Sequence, residues 1–235
     1  MNQNDNENIS LSLSGVDLPI TENVKLLGLH IDHKLNFNED VSKLCKKAGF
    51  HVSAMSRIAK YLDTRGLLKV FHAFIRSNFQ YSNIVWHFTS KPSILKMEKI
   101  QRRALRIVFN DYTSSYADLL LKANVSSLYV SRLKNILMET FKTINKINPQ
   151  FLHDLFEIND TEYALRDPLP LLPPKFHTTT YGRNSFTFEA SKLWNNLPND
   201  LKHIRDLDEF SSEIHEWSGP ECTCYNCILC HINLL

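Results

Sequence analysis

At Asn38 the apolar residues stop alternating and begin to recur at helical spacing, and no other feature constrains the fold as tightly. Before that point Ile9, Leu11 and Leu13 alternate with Ser10, Ser12 and Ser14, the period of a strand with one dry face. Gly15 supplies a turn, Val16-Asp17-Leu18 continues, and Pro19 marks an edge or an end. Val24 through Ile31 reads as a further strand with Gly28 inside it, where a glycine signals a bulge or a close backbone approach.

Beyond Asn38 the helical period holds for about a hundred residues. Val41, Leu44, Cys45, Ala48, Val52, Met55 and Ile58 form one apolar stripe, with Asn38 as a cap and Glu39 and Asp40 in a first turn that favours carboxylates. Thr64 heads a second helix through Leu67, Leu68, Phe71, Phe74 and Ile75. Pro92 fits the first turn of a third, with Ile94, Leu95, Ile100, Leu105 and Val108 inside. Residues 126–147 make a fourth over Leu128, Leu133, Ile136, Leu137, Phe141 and Ile144, closed by Pro149. Trp86, Trp194 and Trp217 lie on apolar stripes and read as core.

Pro168, Pro170, Pro173 and Pro174 then forbid a helix and suit an extended connector. After it, Tyr181 to Phe188 reads as a short strand, Phe188 to Leu197 as a short helix stopped by Pro198, and Leu207 to Trp217 as a last helix. The expected fold is α+β and mostly α. It has a β-hairpin within residues 1–37, a helical bundle over 38–157, the connector over 158–180 and a C-terminal segment over 181–235.

The formal net charge of +2 hides an uneven distribution. Residues 41–110 carry fourteen Lys and Arg against Asp63 and Glu98, a net +12 between two flanks of −5 each. A field of one sign attracts polyanions and weakens with salt. Lys43 and Lys47, Lys99 and Arg103, and Arg102 and Arg106 stand four residues apart on shared helix faces, a repulsion that a phosphate would relieve. Lys43, Lys46, Lys47, Arg57, Lys99, Arg102, Arg103 and Arg106 are therefore candidate contacts to a nucleic-acid backbone. The competing reading is a solvated surface whose stems cover the core. No apolar run reaches the roughly 18 residues that a membrane span needs. Met1 to Asn8 lacks the basic start and apolar run of a secretory leader. The expectation is an intracellular protein, cytoplasmic or nuclear, with no membrane partner.

Cys45 stands alone, while Cys222, Cys224, Cys227 and Cys230, with His231, put five soft ligands in ten residues. In a reducing compartment such a cluster points to metal before disulfides. Zinc takes four ligands in a tetrahedron, and Cys227-x-x-Cys230 is a half-site overlapped by Cys224-x-x-Cys227. Most zinc sites join two separated pairs, so a zinc site and an incomplete half-site both remain open.

Four stretches carry a resemblance, in order along the chain. Val24-Lys25-Leu26-Leu27-Gly28-Leu29-His30-Ile31-Asp32 with Leu35-Asn36-Phe37 is similar to a "vK-x-LG-x-x-hD-x-x-L-x-F" pattern. Ser77 to Trp86 is similar to "S-x-h-x-Y-x-x-x-h-W". Leu95 through Glu98, Gln101, Arg103-Ala104 and Arg106 is similar to "L-x-x-hE-x-hQ-x-R-Ah-R-h". Tyr181-Gly182 through Ser185-Phe186, then Leu193-Trp194-Asn195 and Leu197-Pro198, is similar to "YG-x-x-SF…LWN-x-LP". Together they resemble the region behind the palm of non-LTR retrotransposon reverse transcriptases, the RNA-directed DNA polymerases of those transposable elements.

The resemblance implies that Leu27, Gly28 and Leu29 belong to a primer-grip-like hairpin. It also implies that the helices form a thumb along the template–primer backbone, and that a cysteine–histidine segment follows. Polymerisation in that family needs two Mg²⁺ ions held by aspartates, including a pair in an "F/Y-x-DD" turn. No Asp-Asp dipeptide occurs in the sequence, and Tyr116-Ala117-Asp118-Leu119 has leucine where the second carboxylate belongs. The implied protein is a truncated, non-catalytic chain that retains non-specific template–primer binding, with Mg²⁺ belonging only to the intact parent enzyme. The other reading is a helical protein-interaction scaffold of retroelement origin, docking through an exposed hairpin.

Overall fold

The computed structural model describes residues 11–158, 170–178, 182–220, 228 and 232. Two antiparallel hairpins come first: β1 (Ser12–Leu13) with β2 (Val16–Asp17), and β3 (Asn23–Leu26) with β4 (Leu29–Asp32). The single strand expected over Val24–Ile31 is thus a hairpin. Leu27 and Gly28 have φ of 49° and 87°, the tight turn whose twist matches that of paired strands.

Helix α1 (Asn38–Ile58) starts without a cap from its own Asn38. Phe37 holds the cap position in the left-handed conformation, and Asn36 Oδ1 accepts from the Asn38 N–H at 3.0 Å. The Asp32 carboxylate accepts from the N–H groups of Lys34, Asn36 and Phe37 at 3.0, 3.3 and 2.8 Å. Burial pushes that carboxyl up, but the three donors outweigh it and hold it below its ordinary range. Asp40, buried in the first turn, accepts from the His30 N–H at 3.1 Å and ties α1 to β4.

A 3-10 turn (Ala59–Tyr61) leads to α2 (Thr64–Val70), which Asp63 caps in place of Thr64 by accepting from the Gly66 N–H at 2.8 Å. Helix α2 continues through a π-helical segment (Phe71–Arg76) into α3 (Ser77–Gln80). Leu67, Phe71, Ile75 and Phe79 are buried, one every four residues. In a pure α-helix each step of four advances by about 40° and the stripe would spiral off the core. The wider π turn winds it back. Phe74, expected inside, is 55% exposed for the same reason.

Helix α4 (Lys91–Phe109) carries Pro92 in its first turn and ends at left-handed Asn110. Helix α5 (Tyr116–Ala123) has no counterpart in the apolar periodicity; a capping box starts it, with Ser115 Oγ accepting from the Asp118 N–H and Asp118 from the Ser115 N–H. Helix α6 (Leu128–Ile144) follows under a Ser127 cap. Within the connector, β6 (Leu171–Leu172) pairs antiparallel with β5 (Glu157–Ile158). Ser185 caps α7 (Phe186–Asn195), so residues 186–188 are helical where a strand is expected; Tyr181 lies outside the described residues. Helices α8 (Asn199–His203) and α9 (Leu207–Glu216) follow.

The described residues are 61% helical, an α+β fold that is mostly α. One core joins α1, the α2–α3 unit, α4 and α5; a second joins α6, α7 and α9, and Tyr129 of α6 packs against both. Among the described residues no helix is long and apolar enough to cross a membrane.

Candidate nucleic-acid interface

A cleft of about 300 Å³ opens where the β3–β4 turn meets α1 and α3. Gly28 and Leu29 line one wall, Lys43 and Lys47 another, and Asn78 and Tyr81 the third. The Tyr81 hydroxyl donates to the Leu27 carbonyl, which fastens the turn to the helical unit. The Trp86 indole N–H donates in turn to the Tyr81 carbonyl at 3.2 Å. The first two stretches are thereby in direct contact, and Gly28 and Leu29, but not Leu27, share a cleft with Lys43 and Lys47.

Lys43 forms an i,i+4 ion pair with Glu39 at 2.8 Å, so an internal carboxylate already answers part of the repulsion from Lys47. That hydrogen bond holds the Glu39 carboxyl below its ordinary range. Lys46, Lys47, Arg57, Lys99 and Arg103 are exposed and have no carboxylate partner among the described residues. Arg57 lies fourteen residues along α1 from Lys43, about 21 Å away at helical rise.

Arg102 and Arg106 are half-buried on α4, and the Nε of each is buried without a hydrogen bond. Burial, then the charge of Arg106, lowers the pKa of Arg102, which also lies in the field of Tyr116 on α5. The eight predicted cations therefore form no single patch. Some face the hairpin cleft and solvent, and Arg102 and Arg106 lie toward α5. Arg76, which the sequence reading leaves out, also lies near Tyr116, half-buried and with its Nε unpartnered.

The other polar residues of the third stretch are architectural. Glu98 is fully buried and accepts from the Tyr116 hydroxyl at 2.6 Å and from the Leu128 and Tyr129 N–H groups at 3.2 and 2.7 Å. It satisfies the free donors at the start of α6. Burial drives its carboxyl above the ordinary range. Gln101 donates to the Ser126 carbonyl at 3.2 Å. In the fourth stretch, Asn195 accepts from the Leu171 N–H at 2.9 Å and donates to the Leu171 carbonyl at 2.8 Å, as a strand partner would.

The cysteines proposed as zinc ligands, Cys222, Cys224, Cys227 and Cys230, lie outside the described residues. Among the described residues no three metal-ligating side chains cluster. Cys45 is a buried free thiol whose pKa is raised by burial. Asp118, the single carboxylate of the Tyr116–Leu119 stretch, is engaged in helix capping. No protein-family model matches the chain, and neither a curated protein nor a solved structure matches it.

Proposed function

We propose that the chain is a non-catalytic, reverse-transcriptase-like protein of the non-LTR retrotransposon type that holds duplex nucleic acid by its phosphates, without reading sequence. The observation that carries this is the pairing of cations. Of the eight predicted contacts only Lys43 has a carboxylate partner among the described residues, so the positive field of residues 41–110 is left open to an external polyanion. The cleft that joins Gly28 and Leu29 to Lys43 and Lys47 supports the same reading, because a backbone entering it meets cations and hairpin together. No polymerisation step is assigned to the chain, whose sequence holds no paired aspartates.

Fluorescence anisotropy with an RNA–DNA duplex tests the reading. Log affinity is expected to fall linearly with log salt, and Lys46→Glu with Lys47→Glu to reduce the slope by about one per lost phosphate contact. Absence of binding at low salt would sink it.

A second reading, a protein-interaction scaffold, is favoured by one observation. Leu11, Leu13, Val16, Leu26 and Leu27 on the two hairpins, and Ile20 between them, expose their side chains. A protein partner held by that surface would stay bound at high salt, where phosphate contacts fail.

A further inference from the structure

A second and larger opening, about 710 Å³, lies between α5, α6 and α9, away from the hairpin cleft. Its size is within the roughly 300–1,000 Å³ that organic ligands occupy. Its polar wall is unusual in charge. Arg76 reaches in from the π-helical segment and Lys134 from α6. Both are half-buried, and burial lowers the pKa of each.

Lys134 lies in the fields of both Glu216 and Arg76, and Glu216 acts on it the more strongly. The charge of Arg76 further lowers the pKa of Lys134, and only Glu216 opposes it. Glu216 is the one carboxylate that lines the groove among the described residues; its side chain is 82% exposed and sits against His215 Nδ1 at 3.2 Å. The Arg76 guanidinium makes no hydrogen bond among the described residues, and its Nε is buried. The Lys134 ammonium donates to the His215 carbonyl at 2.5 Å, which uses one of its three donors. Half-buried cations with spare donors are stabilised by an anion that supplies acceptors. The row extends outward, since Arg102 shares the field of Tyr116 with Arg76, and Arg106 lies beside Arg102. At the other end Trp217, which follows α9, lines the groove while packing partly against the second core.

We propose that this groove binds a short single-stranded nucleic-acid segment, its phosphates held between Arg76 and Lys134 and a base resting on Trp217. Repeated cations suit a phosphodiester backbone, and an aromatic rim suits bases of any identity. The inference rests on the nucleic-acid reading above for its class of ligand, and on a different surface for its site.

Anisotropy of the full chain with fluorescent oligothymidylate of about 12 nucleotides, a length typical of single-strand sites, tests it. Arg76→Gln and Lys134→Gln are each expected to weaken oligothymidylate about tenfold, a larger loss than for a duplex of equal length, while Arg76→Lys retains most of the affinity. Wild-type affinity in both Gln variants overturns the proposal. So does full competition by inorganic phosphate at equal phosphate concentration, or preferential displacement by polyglutamate, which would mark an acidic-peptide groove. Should the variants unfold by circular dichroism, photocrosslinking of a 5-iodouracil oligonucleotide to the unaltered chain decides. A crosslink at Trp217 supports the groove, and crosslinks confined to α1 overturn it. Loss of duplex binding in the Lys46→Glu, Lys47→Glu variant is read separately, so either reading can fail without the other.

Discussion

The side chains that most restrict this protein are buried and charged. Arg132 is 1% exposed, and none of its three guanidinium nitrogens has a hydrogen-bond partner among the described residues. Its cation lies over the rings of Trp86 and Tyr129, at 5.1 and 5.4 Å from the centroids. Burial lowers its pKa to about 10, with Glu98 opposing. Beside it His87 stacks on Tyr129 at 5.6 Å, and burial, then the Arg132 charge, depresses the His87 pKa to about 3 from 6.5. A histidine neutral in the fold but protonated when unfolded makes the unfolded state bind the extra proton. Its contribution is complete above pH 6.5 and is lost as pH falls toward 3. The expected slope is about 1.4 kcal/mol per pH unit. Glu98, with its carboxyl raised, works in the opposite sense, adding stability as pH falls through the raised value toward 4.5. Chemical denaturation of the native chain and His87→Gln at several pH values checks this, because the difference between the two curves isolates His87. None of this was legible in the sequence. Glu98 counts there as one acid in a basic block, and nothing in the spacing shows that it faces the start of a helix thirty residues later.

At the scale of elements, the reading is right where one periodic face decides and wrong where backbone geometry does. The stripes of α1, α4 and α6 are buried nearly as spaced, because amphipathic spacing maps directly onto a packed face. Helix α5 is too short to display a stripe, yet its Ser115-x-x-Asp118 box was present to be read. The resemblance implied a hairpin at Leu27 and Gly28, but the apolar pattern read one strand there, because Leu27, an ordinary strand residue, holds a left-handed turn position beside Gly28. That turn gives a direct test. Gly28→Ala places a side chain at a φ of 87° and is expected to cost about 1 kcal/mol or slightly more. Since Tyr81 fastens the same turn, the loss should appear first as faster amide exchange in β3 and β4.

At the scale of the molecule, α6 presents Leu128 to one core and Leu133, Ile136, Leu137 and Phe141 to the other. Two cores built on one rigid helix lose their packing together, so one cooperative transition is expected. Trp86 sits in the first core and Trp194 in the second, both fully buried. With Trp217→Phe as background, single-tryptophan variants should report coincident denaturation midpoints, and separate midpoints would show independent units. The candidate interface was legible only as a charge block. Sequence places fourteen cations in seventy residues, but the packing of α4 against α5 divides them between two surfaces. Arg76 joined the second surface through the π turn, which no apolar pattern specifies.

That turn also bears on which changes the gene can accept. A π turn is one residue more than an α turn requires, so it marks a place where a codon can be lost without moving what lies downstream. Deleting exposed Ala73 would leave Leu67, Phe71, Ile75 and Phe79 at intervals of four, three and four, the spacing of an uninterrupted α-helix. Such a one-codon deletion should yield soluble, folded protein by circular dichroism. The same deletion at buried Ala104, within regular α4, should rotate the rest of that helix by about 100° and abolish folding.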